Sequence, residues 1–351
     1  MIELAPFDKQ TPTRSRATLR EVAREVGVSV MTVSNVINGK HHLMSNETRL
    51  TVHAAIDKLG YRPHSRARSL RLSHDFSIGM LIVDPSPSFL TDAFTTHVVA
   101  GLSNYLNQRG YALLIQGTAP EPVRETPMLR QRRTDAICLM ASGDATTRRA
   151  IYRILEEARQ PAVVLQEEVP DFLTDAISVR QDDRGGGAML ARHVLAQGCR
   201  RLVYLREAHP WPALENRHRG ICSAVAEFNG ASVDSLCCET ARTVEAHAAF
   251  AAYAEARGLP DAVLAGNDQI GIAVLKWLAE RAVVVPDRVR VTGFNAFDFW
   301  QFATPTLTTV RSPAYGLGET AAANLLQRLK VGCFVQRDVI LAVALEPGAS
   351  A

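Results

Sequence analysis

The sequence predicts an all-α helix-turn-helix head followed by an α/β core of two lobes with parallel sheets. Three observations predict it. Short capped helical patterns follow one another between Thr18 and Gly60. From Ile78 onward, apolar runs of strand length alternate with helical segments, the pattern of parallel sheets with crossover helices. That alternation restarts near Ile177, so two similar lobes fit better than one sheet, and 351 residues exceed one ordinary domain.

Residues 1–16 carry charges and prolines, lack the apolar centre of an export signal and read as a mobile tail. Thr18 and Glu21 have capping-box spacing, and Leu19, Val22, Ala23 and Val26 make the first apolar stripe, stopped by Gly27. Ser29 can cap a second helix with Val33, Val36 and Ile37 on one face, ended by Asn38-Gly39. Ser45 can cap a third, carrying Leu50, Val52, Ala54, Ile56 and Leu59 and closed by Gly60. Tyr61-Arg62-Pro63 is a break, and residues 64–72 are short, basic and helix-compatible.

Charge separates the head from the body. Twelve Lys and Arg stand against six Asp and Glu up to Leu72, whereas the whole chain is only +3, so the remainder is net negative. A basic head on a slightly acidic body suits nucleic-acid binding by the head alone. No apolar run reaches the roughly 18 to 20 residues needed to span a bilayer, so a cytoplasmic protein with no membrane partner is expected. The six cysteines include no C-x-x-C pair and no His/Cys spacing of a zinc site. Cys237 and Cys238 read as reduced thiols rather than a redox pair. No metal or cofactor is called for.

In the body, the runs Ile78 to Val83, Ala112 to Ile115, Ala136 to Met140 and Ala162 to Leu165 form the first round of strands. Ile177 to Val179, Arg201 to Leu205, Ala262 to Ala265 and Val289 to Thr292 form the second. A ligand would lie between the lobes, at the carboxyl ends of the strands.

The segment Glu21 to Asn38, EVAREVGVSVMTVSNVIN, is helix, glycine turn, then a helix starting at a Ser cap. Small Ala23 suits a close helix crossing, and Val28 and Val33 would pack the turn into the core. Val30, Met31, Thr32, Ser34 and Asn35 are then left outward near the start of the second helix, where a recognition helix meets base edges and phosphates. Asn35 can pair bidentately with adenine, and Val30 and Met31 can meet thymine methyl groups. Thr18 and Ser29, at the two helix starts, complete the candidate DNA contacts.

ATLREVAREVGVSVMTVSNVINGK, the third helix and GYRPHSRARSLR resemble the head of the lactose/galactose-repressor (LacI/GalR) family, over about residues 17–72. The body follows the family pattern through TPTLTTVRSP at Thr304 to Pro313. The resemblance implies a helix-turn-helix domain at 17–62, a hinge and linker at 63–75, and an effector-binding and dimerisation core at 76–351 built like periplasmic sugar-binding proteins. The near lobe is expected over about 76–176 and 304–330, the far lobe over about 177–303 and 331–351. In this family the hinge folds when two chains sit side by side on the minor groove, and a leucine wedges between base pairs. Leu70 matches that leucine, and Arg68 and Ser69 its neighbours. Arg66 stands where the family usually has an apolar residue. The implied partners are a pseudo-palindromic double-stranded operator, a second copy of the chain and a small-molecule effector. Effector binding releases DNA more often than it tightens it in this family.

The resemblance also implies effector contacts. Phe94 matches an aromatic opening the first helix of the core and could stack on a ring. Arg217, in the R-x-x-G run to Gly220, offers a fork for two oxygens. Asn267 stands at a strand end before Asp268, expected to cap the next helix, and can both donate to and accept from a hydroxyl. Trp211 could form an apolar wall. Asp182 is placed among the contacts, although a structural role suits it as well. At Asn295 the family commonly has an acid that accepts from sugar hydroxyls; an amide there would not repel an anion. With Arg217 this favours a sugar acid as effector, then a neutral sugar, then a purine-like ligand.

A sugar-binding module without DNA function would account for residues 76–351 but not for the head. An enzyme could be sought in His41-His42, Ser88 or Asp182-Asp183, yet no nucleophile elbow, phosphate loop or H-E-x-x-H supports one. The glycines at 185–187 fit the tight entry of a helix.

Overall fold

The computed structural model describes residues 17–37, 39–61, 74–86 and 89–351. Two compact units divide the chain, Met1–Asp75 and Phe76–Ala351.

The head is a three-helix unit with a cap at each helix start. In α1 (Leu19–Val26) the Thr18 amide donates to Glu21 Oε2 at 2.6 Å and the Glu21 amide to Thr18 Oγ1 at 3.3 Å, a reciprocal capping box. Gly27 ends it in the left-handed region, φ 70°. In α2 (Val30–Ile37) the Thr32 amide donates to Ser29 Oγ at 3.0 Å. In α3 (Asn46–Leu59) Ser45 caps through the Thr48 amide at 3.1 Å. Val22 and Ala23 of α1, Val33 and Val36 of α2, and Val52 and Ala55 of α3 share one core with Tyr61. Leu50 and Ala54, expected in the third apolar stripe, are exposed instead. A 3.6-residue period puts Ala55, three after Val52, on the inner face. Asn38, the tail and the hinge with Arg66, Arg68 and Leu70 lie outside the described residues.

The second unit opens with β1 (Ser77–Val83), α4 (Ala93–Asn107), β2 (Ala112–Thr118), β3 (Ala136–Ala141), α5 (Ala145–Ala158), β4 (Ala162–Leu165) and β5 (Ala176–Gln181). It continues through α6 (Asp183–Ala196), β6 (Arg201–Glu207), α7 (Pro212–Val225), β7 (Ser232–Cys238), α8 (Thr243–Arg257), β8 (Ala262–Ala265), α9 (Asp268–Glu280) and β9 (Arg290–Thr292). The last elements are β10 (Thr309–Arg311), α10 (Ala314–Val331), β11 (Asp338–Leu341) and β12 (Ala344–Glu346). The near sheet runs β11-β5-β4-β3-β1-β2 and the far sheet β7-β6-β8-β9, every pair parallel. β3 is buried along its whole length, as continuous apolar strands covered on both faces must be. β10 and β12 pair antiparallel in a separate small sheet.

Two lobe boundaries differ from the expectation. Ile177 to Val179, expected to open the far lobe, lie in β5 and pair with β4, Val163 opposite Ile177. Residues 338–341, also assigned to the far lobe, add β11 to the near sheet beside β5. An apolar run announces a strand, but which sheet it joins is decided by distant partners.

Glycines set the closest helix approaches. A methyl on Gly101 of α4 would fall on the Tyr315 carbonyl oxygen of α10, and one on Gly318 on the Val98 carbonyl oxygen. In the far lobe a methyl on Gly187 of α6 would strike the Arg217 carbonyl oxygen, and one on Gly220 of α7 that of Arg184. Gly187 and Gly220 thus let α7 lie directly on α6, which fixes where Arg217 emerges.

Candidate functional site

The head presents the first turns of α2. Its inner face is spent on Val33 and Val36, leaving Val30 44% and Met31 56% exposed. Thr32, Ser34 and Asn35 are half-buried beside them. The hydroxyls of Thr18 and Ser29 are engaged in capping, so any contact they make outward is shared with that role. Burial of the apolar core turns this strip outward at a helix N-terminus, where backbone N–H groups favour phosphate.

The second site is a cavity of about 670 Å³ in the core unit, the size of a small-molecule site. It opens at the carboxyl ends of the strands: Asp84 follows β1, Gln166 follows β4, Glu207 ends β6, and Gly266 and Asn267 follow β8. Phe94, Trp211, Arg217, Asn267 and Asn295 all line it.

Arg217 is buried and held from three sides. Nε donates to Asp183 Oδ1 at 2.8 Å, Nη1 to the Gly266 carbonyl at 2.5 Å, and the guanidinium lies 3.6 Å over the Phe294 ring. Among the described residues Nη2 has no protein partner. Asp183 also accepts from Gln181 Nε2 at 2.8 Å, and Gln181 Oε1 accepts from Ser312 Oγ at 2.6 Å. The arginine is thereby tied to two of the segments that cross between the lobes, the one after β5 and the one before α10. Burial pushes the Asp183 carboxyl up, and the Arg217 charge and the Gln181 amide pull it back.

Asn295 has φ 116°, a backbone region that Asn tolerates better than most residues. Its amide donates to Val310 O at 2.8 Å and its carbonyl accepts from the Ser312 amide at 3.0 Å, but side-chain Oδ1 is buried without a partner. Asn267 is the cap of α9, accepting the Ile270 amide at 2.9 Å. The cap expected at Asp268 is therefore one residue too late. Asp268 is buried, accepts Thr309 Oγ1 at 2.5 Å and the Ala296 amide at 2.7 Å, and is pushed up to about 6 by desolvation. It ties α9 to β10. Asp182 does not line the cavity; its carboxylate caps α6 through the Gly185 amide at 2.8 Å.

Among the cavity residues that escaped the sequence reading are Asp84, His209 and Glu207. Asp84 accepts the Ser86 amide at 2.8 Å, and His209 Nε2, bonded to Ser142 Oγ at 2.8 Å, lies 3.5 Å from its other oxygen. Glu207 is pushed up to about 7, first by desolvation and then by the negative charges of Asp92 and Asp84. The signal was available for two of them, since Asp84 and Glu207 stand at the same strand ends that singled out Asn267. No group of three or more His, Cys, Asp or Glu among the described residues could hold a metal ion, and no helix of the described residues is long and apolar enough to cross a membrane.

A helix-turn-helix head joined to a two-lobed core with a ligand-sized cleft defines a DNA-binding regulator of the ligand-responsive class. Residues 18–64 match the model of bacterial regulatory proteins of the lacI family, and residues 191–351 that of a periplasmic binding protein-like domain. The chain is 30% identical over 323 residues to the HTH-type transcriptional repressor PurR of Photobacterium profundum, covering 90% of this chain and 92% of that one. It is 29% identical to the ribose operon repressor of Escherichia coli K12, covering 89% and 93%. The Lac repressor bound to ONPG in its repressed state shares the fold, with a TM-score of 0.81 at 23% identity over 96% of this chain and 100% of that one. The chain belongs to the lacI family: it is a DNA-binding transcriptional repressor with a ligand-binding core, not an enzyme.

Proposed function

We propose that this repressor acts as a homodimer on a two-fold symmetric operator, and that a small polyhydroxylated effector held between the core lobes sets its operator affinity. The observation that carries the effector class is a pair of buried acceptors on cavity-lining residues that no protein donor reaches: Asn295 Oδ1 and Asp84 Oδ2. A buried acceptor left unmatched costs about 1 to 3 kcal/mol, and ligand hydroxyls would supply the missing donors. The ribose operon repressor among the relatives supports a sugar-like ligand by its name.

Of the two effector classes the sequence favours, the sugar acid fits less well. Arg217 is already answered by Asp183, and the cavity wall carries the carboxylates of Asp84, Asp92, Glu207 and Glu239. An anion would meet net repulsion there. The amide at Asn295 removes one acid, but neighbouring strand ends supply others.

The DNA contacts proposed are Val30, Met31, Thr32, Ser34 and Asn35 on α2, with Thr18 and Ser29 at the helix starts, and Arg68 and Leu70 in the hinge. The test is an electrophoretic shift on an operator selected from random duplexes. Two heads related by a two-fold axis should select a pseudo-palindrome, and Leu70→Ala should weaken that site far more than random duplex. Selection of non-symmetric sites would overturn the dimeric reading; equal losses on both duplexes would remove Leu70 from the wedge.

A further inference from the structure

We infer that the effector carries a protonated amine, seated against Asp84 and Glu207 with the charge of Asp92 nearby; this rests on reading the cleft as the effector site. The first ground is the charge that the wall leaves uncompensated. Among the described lining residues the cations are two arginines. Arg217 is spent on Asp183, which lies behind the wall, and Arg242 is exposed in the loop just before α8. Against them stand Asp84 after β1, buried, and Glu207 at the end of β6, half-buried; Asp92 before α4 and Glu239 after β7 also line the cavity but are exposed, as Arg242 is.

The second ground is donor shortage. Asp84 is only 8% exposed, yet Oδ2 has no hydrogen bond; His209 stops 3.5 Å short of it while serving Ser142. Glu207 has only a long contact of 3.5 Å from Asn267 Nδ2. Asn295, 9% exposed and also on the cavity lining, has a side-chain Oδ1 with no donor. A hydroxyl brings one donor and no charge, whereas an ammonium brings three donors and the charge the carboxylates lack. A divalent metal is the weaker occupant, because no three acidic groups here converge on a common point. Trp211 and Phe94 supply the apolar faces on which the carbon frame of such a ligand can lie. Burial and the charges of Asp92 and Asp84 push Glu207 up to about 7, and a cation beside it would draw it back down.

The experiment titrates the full chain calorimetrically at pH 7.5 with matched probes: D-glucose, D-glucosamine and D-glucuronate, then D-galactose, D-galactosamine and D-galacturonate, with putrescine as a linear amine. The amine of a matched set should bind at least tenfold more tightly than its neutral parent. Glu207→Gln, which keeps the shape of the side chain, should cut that ratio by about tenfold. Asp92→Asn, which keeps a helix-capping side chain, should act in the same direction. A neutral or acidic probe binding as tightly as its amine overturns the inference and leaves the cleft as an effector site. If every probe fails to bind, both readings fall.

Discussion

Replacing Arg217 with methionine should strike the core twice. The Asp183 carboxylate loses the cation 2.8 Å away and stays buried, and Gly266 O loses a donor. Removing one partner of a buried ion pair costs about 3 to 5 kcal/mol, more than the pair itself contributes, because the survivor cannot reach water. For a core of this size each kcal/mol lowers Tm by about 2 to 4 °C, so a fall of roughly 10 °C is expected. Asp183→Asn combined with Arg217→Met removes the stranded charge and keeps an amide for Gln181. The double variant should therefore be more stable than Arg217→Met alone, with a coupling energy of at least about 1.5 kcal/mol by denaturant titration of the four proteins. Costs that add within about 0.5 kcal/mol would refute the account of Arg217 as the counter-charge of Asp183. Both variants should lose the effector response, since each removes the one guanidinium nitrogen left for a ligand.

Asn35→Ala should relax base preference at one operator position by about 1 to 3 kcal/mol, read by competition among single-base variants; unchanged selectivity would place Asn35 on phosphate. Gly220→Ala should cost at least about 1 to 3 kcal/mol by overpacking, because its methyl lands on the Arg184 carbonyl of α6; a wild-type Tm would mean that the two helices separate freely. Glu207 should leave a signature in the pH profile. It is faced by Asp84 after β1, Asp92 before α4, Arg217 on α7 and the Asn267 amide, and holds its proton up to about 7 when folded, against an ordinary 4.5. Its contribution is thus complete below about pH 4.5 and lost as pH rises through about 7. The stability difference between Glu207→Gln and the parent should change across that window, and parallel profiles would show Glu207 to be solvated.

The head was legible nearly residue by residue, because its determinants are local. Thr18, Ser29 and Ser45 lie within three residues of the amides they cap, and Gly27 and Gly60 of the carbonyls they close. Leu50 misled because alternate apolar residues look like a stripe until the helical period is imposed. In the core the strands were legible but their sheet membership was not: β5 and β11 pair across more than 150 residues. The cleft was half legible. Phe94, Trp211, Arg217, Asn267 and Asn295 line one cavity, whereas Asp182 caps a helix outside it. The ion pair between Arg217 and Asp183 could not be read, because the pair forms only when the glycines of α6 and α7 let two helices touch. That pair, together with Asp84 and Glu207, is why the effector proposed above differs in charge from the one that Arg217 and Asn295 alone suggest.

The place of β11 also has a bearing on how the chain is made. The near lobe begins at residue 77, yet one edge of its sheet, β5, receives its last neighbour only from residues 338–341. While the far lobe is being synthesised, the nascent chain carries a nearly finished parallel sheet with an unpaired and largely apolar edge. Such an edge is a template for the wrong strand, from this chain or another. A premature stop before residue 338 would make that transient exposure permanent, so truncated products should be handled by the cell as aggregation-prone fragments even though both lobes' helices and most of their strands are present.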